Sequence, residues 1–180
     1  MGRKQTIDRG AILDAAERVV LRSGAASLTI DAVAKEAGVS KGGVLYAFTT
    51  KDALISAMLN RVTASYDTAM EAQLAALGDA PLARPRAHVA ASRDEDAPSS
   101  ARALALMASF IRAPDYQKET QQYYRELMAS ADPASEAGRR ARLALLATEG
   151  AFIMRGFGLY AFSEEEWHAI HQDIVAILLD

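Results

Sequence analysis

The sequence contains no cysteine, so disulfides, thiolate metal ligands, thiol redox couples and cysteine nucleophiles are all excluded. A reducing cytoplasm is the compartment this fits, and it is the localisation expected here. Also missing is an apolar run of the roughly 20 residues that a membrane span requires. The most apolar segment, residues 143–162, carries Glu149 and Arg155 inside it and reads as a buried helix. The first nine residues are polar and basic, without the apolar centre of a secretion signal. No alternating run bounded by hairpin turns, internal repeat or low-complexity tract occurs. Nor is there a Ser/His/Asp grouping, a phosphate-cradling glycine loop or a paired-carboxylate motif. Neither a membrane partner nor a resident cofactor is expected.

What is present is a chain of 180 residues, 51% hydrophobic and 24% charged, enough for one medium domain or a small domain joined to a larger one. The net charge of −3 conceals an asymmetry. Residues 1–50 hold seven Lys and Arg against five Asp and Glu, whereas the remainder holds 13 against 18. A basic beginning on an acidic body suits a modular DNA binder, because attraction to phosphates need only be local.

Apolar residues at Ile7, Ala11, Ile12, Ala15, Ala16, Val19 and Val20 recur at helical spacing and stop at Ser23-Gly24. Thr29 then caps a short helix, 30–37, with Asp31 in its first turn, where a carboxylate favours the dipole. Gly38 and Val39 form a tight turn, and Ser40 caps a third short helix running to about Phe48. Thr50 caps a long fourth helix from Lys51 towards Leu77. Beyond Pro81, helices are expected near 82–92, 99–112, 114–130, 133–162 and 163–179, with a loop at the acidic cluster Asp94-Glu95-Asp96. The chain reads as all-α.

Helices two and three carry the functional signal, since a helix-turn-helix makes steric demands at fixed spacings. Gly38 stands where the backbone turns sharply, and Ala34 where the two helices cross most closely. Val33, Ala37, Val39 and Val44 supply a small core, with Leu45 and Phe48 packing back on the first helix. Helix three is then the recognition helix, offering Ser40, Lys41, Gly42 and Gly43 to base edges in the major groove. Two adjacent glycines cost a helix about 1 kcal/mol each relative to alanine, so close approach to DNA is the better reason for them. Tyr46 can give a phosphate its hydroxyl while its ring packs at the base of the motif. Thr29 and Lys51, at two helix starts, are placed for phosphates.

In the segments 12–16, 28–34, 37–46 and Phe48 with 51–54, about a quarter of the chain, the sequence resembles the DNA-binding region of the TetR (tetracycline repressor) family. Ala47 departs from the polar residue frequent there in the family. The resemblance implies an N-terminal three-helix DNA-binding domain over 1–52 and a C-terminal helical dimerisation and ligand-binding domain over 53–180. It also implies phosphate contacts from Thr29, Tyr46 and Lys51, base contacts from Lys41 to Gly43, and a minor-groove reach by Arg3 and Lys4. The partners implied are a palindromic double-stranded DNA operator, a second copy of the chain, and a small amphipathic or hydrophobic ligand that releases the operator.

For the homodimer interface, Leu143, Leu146, Ala147, Gly150, Ala151, Met154, Phe157 and Gly158 form one stripe. Trp167, Ile170, Ile174, Ile177 and Leu178 form another, so that two helices per subunit make a four-helix contact. Met107, Phe110, Tyr123, Tyr124, Phe152 and Arg155 are candidates for a ligand pocket, with Arg155 and Glu149 giving polarity to an apolar wall.

Two other readings stand beside this one. A regulator without a small-molecule inducer is one. A small helical metalloenzyme is the other, because Glu164, His168 and His171 fall on one helix face at i, i+4 and i+7, a set able to bind zinc. Against it, the histidines are three apart, no general base is near, and Glu164 to Glu166 also serve as ordinary charge at a helix start. No metal site and no enzymatic activity are expected.

Overall fold

A computed structural model describes residues 8–180. Ile7, expected at the start of the first helix, and Arg3 and Lys4, expected to reach the minor groove, lie outside the described residues. Within them the fold is all-α, with nine α-helices: α1 Arg9–Ser23, α2 Ile30–Ala37, α3 Lys41–Ala47, α4 Lys51–Leu77, α5 Ala83–Asp94, α6 Ala97–Phe110, α7 Pro114–Ala129, α8 Glu136–Gly156 and α9 Glu164–Leu178.

Short polar side chains decide where most of these begin. Thr29, Ser40, Thr50 and Ser163 each accept a hydrogen bond from the N–H three residues on. Such a cap is worth about 1 kcal/mol. Gly38 closes α2 in the left-handed region (φ 68°, ψ 27°), so the Val39 N–H reaches the Ala34 carbonyl at 3.0 Å and the chain turns at once into α3. The acidic cluster is less of a loop than its composition suggests. α5 runs to Asp94, and Asp96 caps α6 by accepting from the Ser99 N–H, with Pro98 in the first turn, where its missing N–H costs nothing.

One hydrophobic cluster joins α1 (Ile12, Ala16, Val19), α2 (Val33) and α3 (Val44) to α4 (Leu54, Met58, Val62) and α6 (Leu106, Phe110). Burying each large aliphatic side chain contributes roughly 1.5–3 kcal/mol. This cluster runs across the division expected between residues 52 and 53, because α4 is a single helix whose first half belongs to the helix-turn-helix core. A second cluster packs Val89 of α5 against Ala141 and Ala144 of α8 and Ile174 of α9.

The expected interface stripes divide differently from their sequence grouping. Leu143, Leu146 and Met154 on α8, Phe157 just past its end and Ile177 on α9 are exposed, and Gly150 is half-buried. Trp167 and Ile174, however, are buried inside this same chain, and Ile170 packs against the second cluster. These three belong to the subunit's own core because α9 turns its apolar face onto α5 and α8. Ala151 is likewise buried. The expected helix 133–162 ends at Gly156: Gly158 takes φ 65°, and the Leu159 N–H bonds back to the Met154 carbonyl at 2.9 Å, a left-handed helix stop that only glycine adopts without cost.

Candidate functional site

Two places in the molecule bring functional side chains together: the outer surface of α3 and a cavity between α4 and the C-terminal helices. On α3, Lys41, Gly42 and Tyr46 are exposed. Tyr46, 83% exposed, carries its ring into solvent and does not pack at the base of the motif. Gly43 turns inward and is buried, its N–H held by the Ser40 hydroxyl at 3.0 Å. Gly42 alone therefore offers bare backbone to an approaching surface, and the base-facing place expected for Gly43 is not where its backbone lies. Leu45 is exposed, whereas Phe48 is buried as expected.

The Thr29 and Ser40 hydroxyls accept from the Ala32 and Gly43 N–H groups, so each keeps its own O–H to donate. Lys51 is exposed at the start of α4, and Lys41 pairs with Asp31 at 2.9 Å, both side chains well exposed. An exposed pair of that kind is worth at most about 1 kcal/mol, and Lys41 can exchange Asp31 for another acceptor at little cost. At Ala47 the side chain is buried, and the carbonyl accepts from Arg9 at 2.6 Å while the Arg9 guanidinium lies 4.3 Å over the Phe48 ring. This clamp fixes the end of α3 to the start of α1, and nothing local in the sequence announces it.

Glu17 joins this unit to the body. Its side chain, 7% exposed, accepts from Arg102 of α6 at 2.7 Å and from Nε and Nη2 of Arg61 on α4. A buried carboxylate requires such partners, since an unpaired one costs several kcal/mol. One residue of α1 thus holds α4 and α6 together.

The cavity, about 970 Å³, is walled by α4, α5, α6, α7 and α8. Met107, Tyr123, Tyr124 and Phe152 line it as the sequence suggested. Phe110 instead sits in the first cluster. Arg155 turns away: it donates to the Glu95 carbonyl at 2.7 Å and to Glu164 at 3.0 Å and stacks 4.1 Å over Trp167. A buried guanidinium is held by such partners, so these two residues are structural.

Two residues that sequence reasoning missed, Tyr66 and His88, join the expected Tyr123, Tyr124 and Glu149 at the polar end of the cavity. The Tyr66 hydroxyl lies 2.5 Å from His88 Nδ1 and 3.0 Å from the Tyr123 hydroxyl. Glu149 accepts from the Tyr124 hydroxyl at 2.9 Å, and its other oxygen stands 3.3 Å from His88 Nε2. Burial pushes the Tyr66, Tyr123 and Tyr124 phenols above their ordinary values; neighbouring Tyr123 adds to this at Tyr66, and Glu149 does so at Tyr124. All three therefore remain neutral donors. No sequence spacing links residues 66, 88, 123 and 149; only the fold does.

The possible zinc ligands do not converge. Glu164 faces Arg155, while His171 is buried between the Trp167 carbonyl at 2.8 Å and the Ser92 hydroxyl at 3.3 Å, and His168 is exposed. Burial lowers the His171 pKa, keeping the ring neutral. Among the described residues no group of three or more His, Asp or Glu side chains is arranged to hold a metal, and no helix is long and apolar enough to cross a membrane.

Comparison with known proteins matches both halves of the chain. Residues 12–58 match the bacterial regulatory proteins of the tetR family, and residues 82–179 the tetracyclin repressor-like C-terminal domain. The HTH-type transcriptional regulator BetI of Burkholderia thailandensis is 37% identical over 89 residues, 49% of this chain and 46% of that protein. The match thus spans about half the length of that relative. BetI of Serratia proteamaculans is 27% identical over 97% of this chain and 94% of its own length. Among solved structures, the multidrug binding protein EbrR complexed with malachite green superposes with a TM-score of 0.66 at 23% identity, covering 96% of this chain and 98% of that one. The capped, glycine-hinged helix pair and the helical body behind it agree with these matches, and the chain belongs to the TetR family of bacterial transcriptional regulators.

Proposed function

We propose that the protein works as a homodimeric repressor that grips a palindromic operator with two copies of α3 and releases it when a small molecule fills the cavity. The observation that carries this reading is the outer face of α3. Lys41, Gly42 and Tyr46 project there unpacked, with Thr29 and Lys51 at flanking helix starts and the Thr29 and Ser40 hydroxyls free to donate. Lys41 and Gly42 would read base edges and Thr29, Tyr46 and Lys51 would hold phosphates, a division of labour general to DNA recognition. Such a regulator acts where the chromosome lies, in the cytoplasm.

The helix shared by both sites supports ligand control. On α4, Leu54 and Met58 belong to the helix-turn-helix core, and Ile55, Leu59 and Val62, in or against the same cluster, also line the cavity. A ligand that prefers one setting of α4 therefore biases the position of α3, and by linkage operator and ligand oppose each other's binding. EbrR, which shares the fold, has been solved with small molecules bound, and this supports assigning the cavity to a ligand.

Dimerisation is assigned to the exposed stripe of Leu143, Leu146 and Met154 on α8, with half-buried Gly150 between them, Phe157 just past the helix end and Ile177 on α9. A contiguous exposed apolar stripe of this size is unusual on a monomer, and two recognition helices must enter successive major grooves about 34 Å apart. Sedimentation at micromolar concentration is expected to give a dimer for the wild type and a monomer for Leu146→Glu, with operator affinity lost alongside. A wild-type monomer that still bound its operator would overturn the assignment.

A further inference from the structure

The cavity's charge is one-sided. Asp52, Asp67, Glu95, Asp115, Glu119 and Glu149 stand along its wall, and no Lys or Arg does. Among the described residues, none of these six carboxylates lies within ion-pair distance of a Lys or Arg; Glu149 has only His88. Behind the wall, Arg155 is turned to the Glu95 carbonyl and Glu164, and Arg84 lies outside the lining. Acidic side chains without Lys or Arg ion-pair partners along a partly open, largely apolar space set up a negative potential, screened least where water is excluded.

His88 gives this field a focus. The ring is 2% exposed, and Nε2 is buried without a hydrogen-bond partner. It faces Glu149 at 3.3 Å, within ion-pair distance but off hydrogen-bond geometry. When the Tyr66 hydroxyl donates to Nδ1, the imidazole proton must sit on Nε2 and point at Glu149. The Glu149 carboxylate is kept in place by Tyr124 on one oxygen and faced by His88 on the other, and no Lys or Arg lies within ion-pair distance of it among the described residues. Around it stand the rings of Tyr66, Tyr123 and Tyr124, whose π-faces attract positive charge.

Resting on the reading of this cavity as a ligand site, we propose that its ligand is a drug-sized organic cation. The cationic nitrogen sits at Glu149 among the three tyrosines, and the apolar body lies along Leu59, Met107 and Phe152. An anion of the same shape meets a wall with six acidic side chains and no Lys or Arg. A neutral molecule gains the apolar contacts but leaves the Glu149 charge uncompensated.

The test compares rhodamine 6G, a cation, with fluorescein, an anion built on the same tricyclic skeleton, by fluorescence anisotropy on the full-length protein. Rhodamine 6G is expected to bind at micromolar concentration and fluorescein at least thirtyfold more weakly. Glu149→Gln keeps an oxygen for Tyr124 and is expected to weaken rhodamine 6G at least tenfold. Glu165→Gln, on the exposed first turn of α9, measures non-specific attraction and is expected to change nothing. Thermal melting establishes that each variant folds; if Glu149→Gln does not, the two dyes on the wild type decide. Equal binding of both dyes, or a folded Glu149→Gln that binds rhodamine 6G as tightly as the wild type, overturns the proposal. Fluorescein binding that releases operator DNA overturns the charge assignment and leaves the ligand site standing. Binding of neither dye overturns both.

Discussion

Replacing Tyr46 and Lys51 together by alanine is expected to weaken operator binding roughly a hundredfold or more at physiological salt, and to do so equally on operator and on unrelated DNA. Each side chain reaches a phosphate in the proposed complex, and a dimer loses each contact twice. Hydrogen bonds to charged groups are worth about 1.5–3 kcal/mol apiece, so four lost contacts can exceed the hundredfold figure if they add. Only lysine releases counterions, so the slope of log K against log salt should fall by about 2, one unit for each lysine in the dimer. Neither side chain supports the fold: Tyr46 is the most exposed large apolar side chain described, and Lys51 makes no ion pair within 4.0 Å among the described residues. Melting temperature should therefore hardly move. Unchanged affinity and salt slope in the folded double variant would remove α3 and the start of α4 from the DNA interface.

Trp167→Ala is expected to have the largest effect on stability, about 3–5 kcal/mol, or a fall in Tm of roughly 10 °C for a chain of this size. Trp167 is 1% exposed. Its indole N–H donates to the Arg93 carbonyl at 2.9 Å, and its ring is enclosed by Arg155 at 4.1 Å, His171 at 4.3 Å and Phe162 at 5.6 Å. Removing it leaves a cavity and frees Arg155, whose buried guanidinium then has one fewer neighbour. The same variant separates the subunit core from the dimer interface. With Trp167 in the core, Tm falls while the sedimenting species stays a dimer; dissociation with unchanged Tm would return this residue to the interface.

The contrast between these two predictions follows what the sequence makes legible. The helix-turn-helix is a local object. Thr29, Ala34, Gly38 and Ser40 act within a dozen residues of one another, through caps, one left-handed turn and one close crossing, and each leaves a mark at a fixed spacing. The starts of α4 and α9 are equally local, resting on Thr50 and Ser163.

The C-terminal half is decided by non-local contacts. α8 carries apolar residues on more than one face, so its periodicity does not say which of them meets the subunit's own core and which is left outside. The Ala141, Ala144 and Ala151 side packs inward while the Leu143, Leu146 and Met154 side remains exposed, and only the placement of α5, α6 and α9 decides it. Trp167 and Ile177 fall in one sequence stripe for the same reason: both are apolar residues of one helix, but α9 buries the first and leaves the second in solvent. The stop at Gly158 was in principle readable, since a glycine two residues after Gly156 can take the left-handed conformation; continuous hydrophobicity masked it.

Polar pairs at long range are harder still. Glu17 meets Arg102 across 85 positions, and Tyr66 meets His88 across 22. Each of these residues, taken alone in the sequence, resembles an ordinary surface or core residue. Their importance comes from the cost of burying polar groups without partners, and that cost cannot be assessed until burial is known.

Whether two copies of α3 read a symmetric DNA site is tested most directly by selecting bound sequences from a random-sequence duplex pool with the purified full-length protein. The expected result is enrichment of a palindrome whose half-site centres are about one helical turn, roughly 34 Å, or a whole number of turns apart, with enrichment lost for the Tyr46, Lys51 double variant. Recovery of no enriched sequence, or of a single asymmetric site bound by one chain, would contradict it.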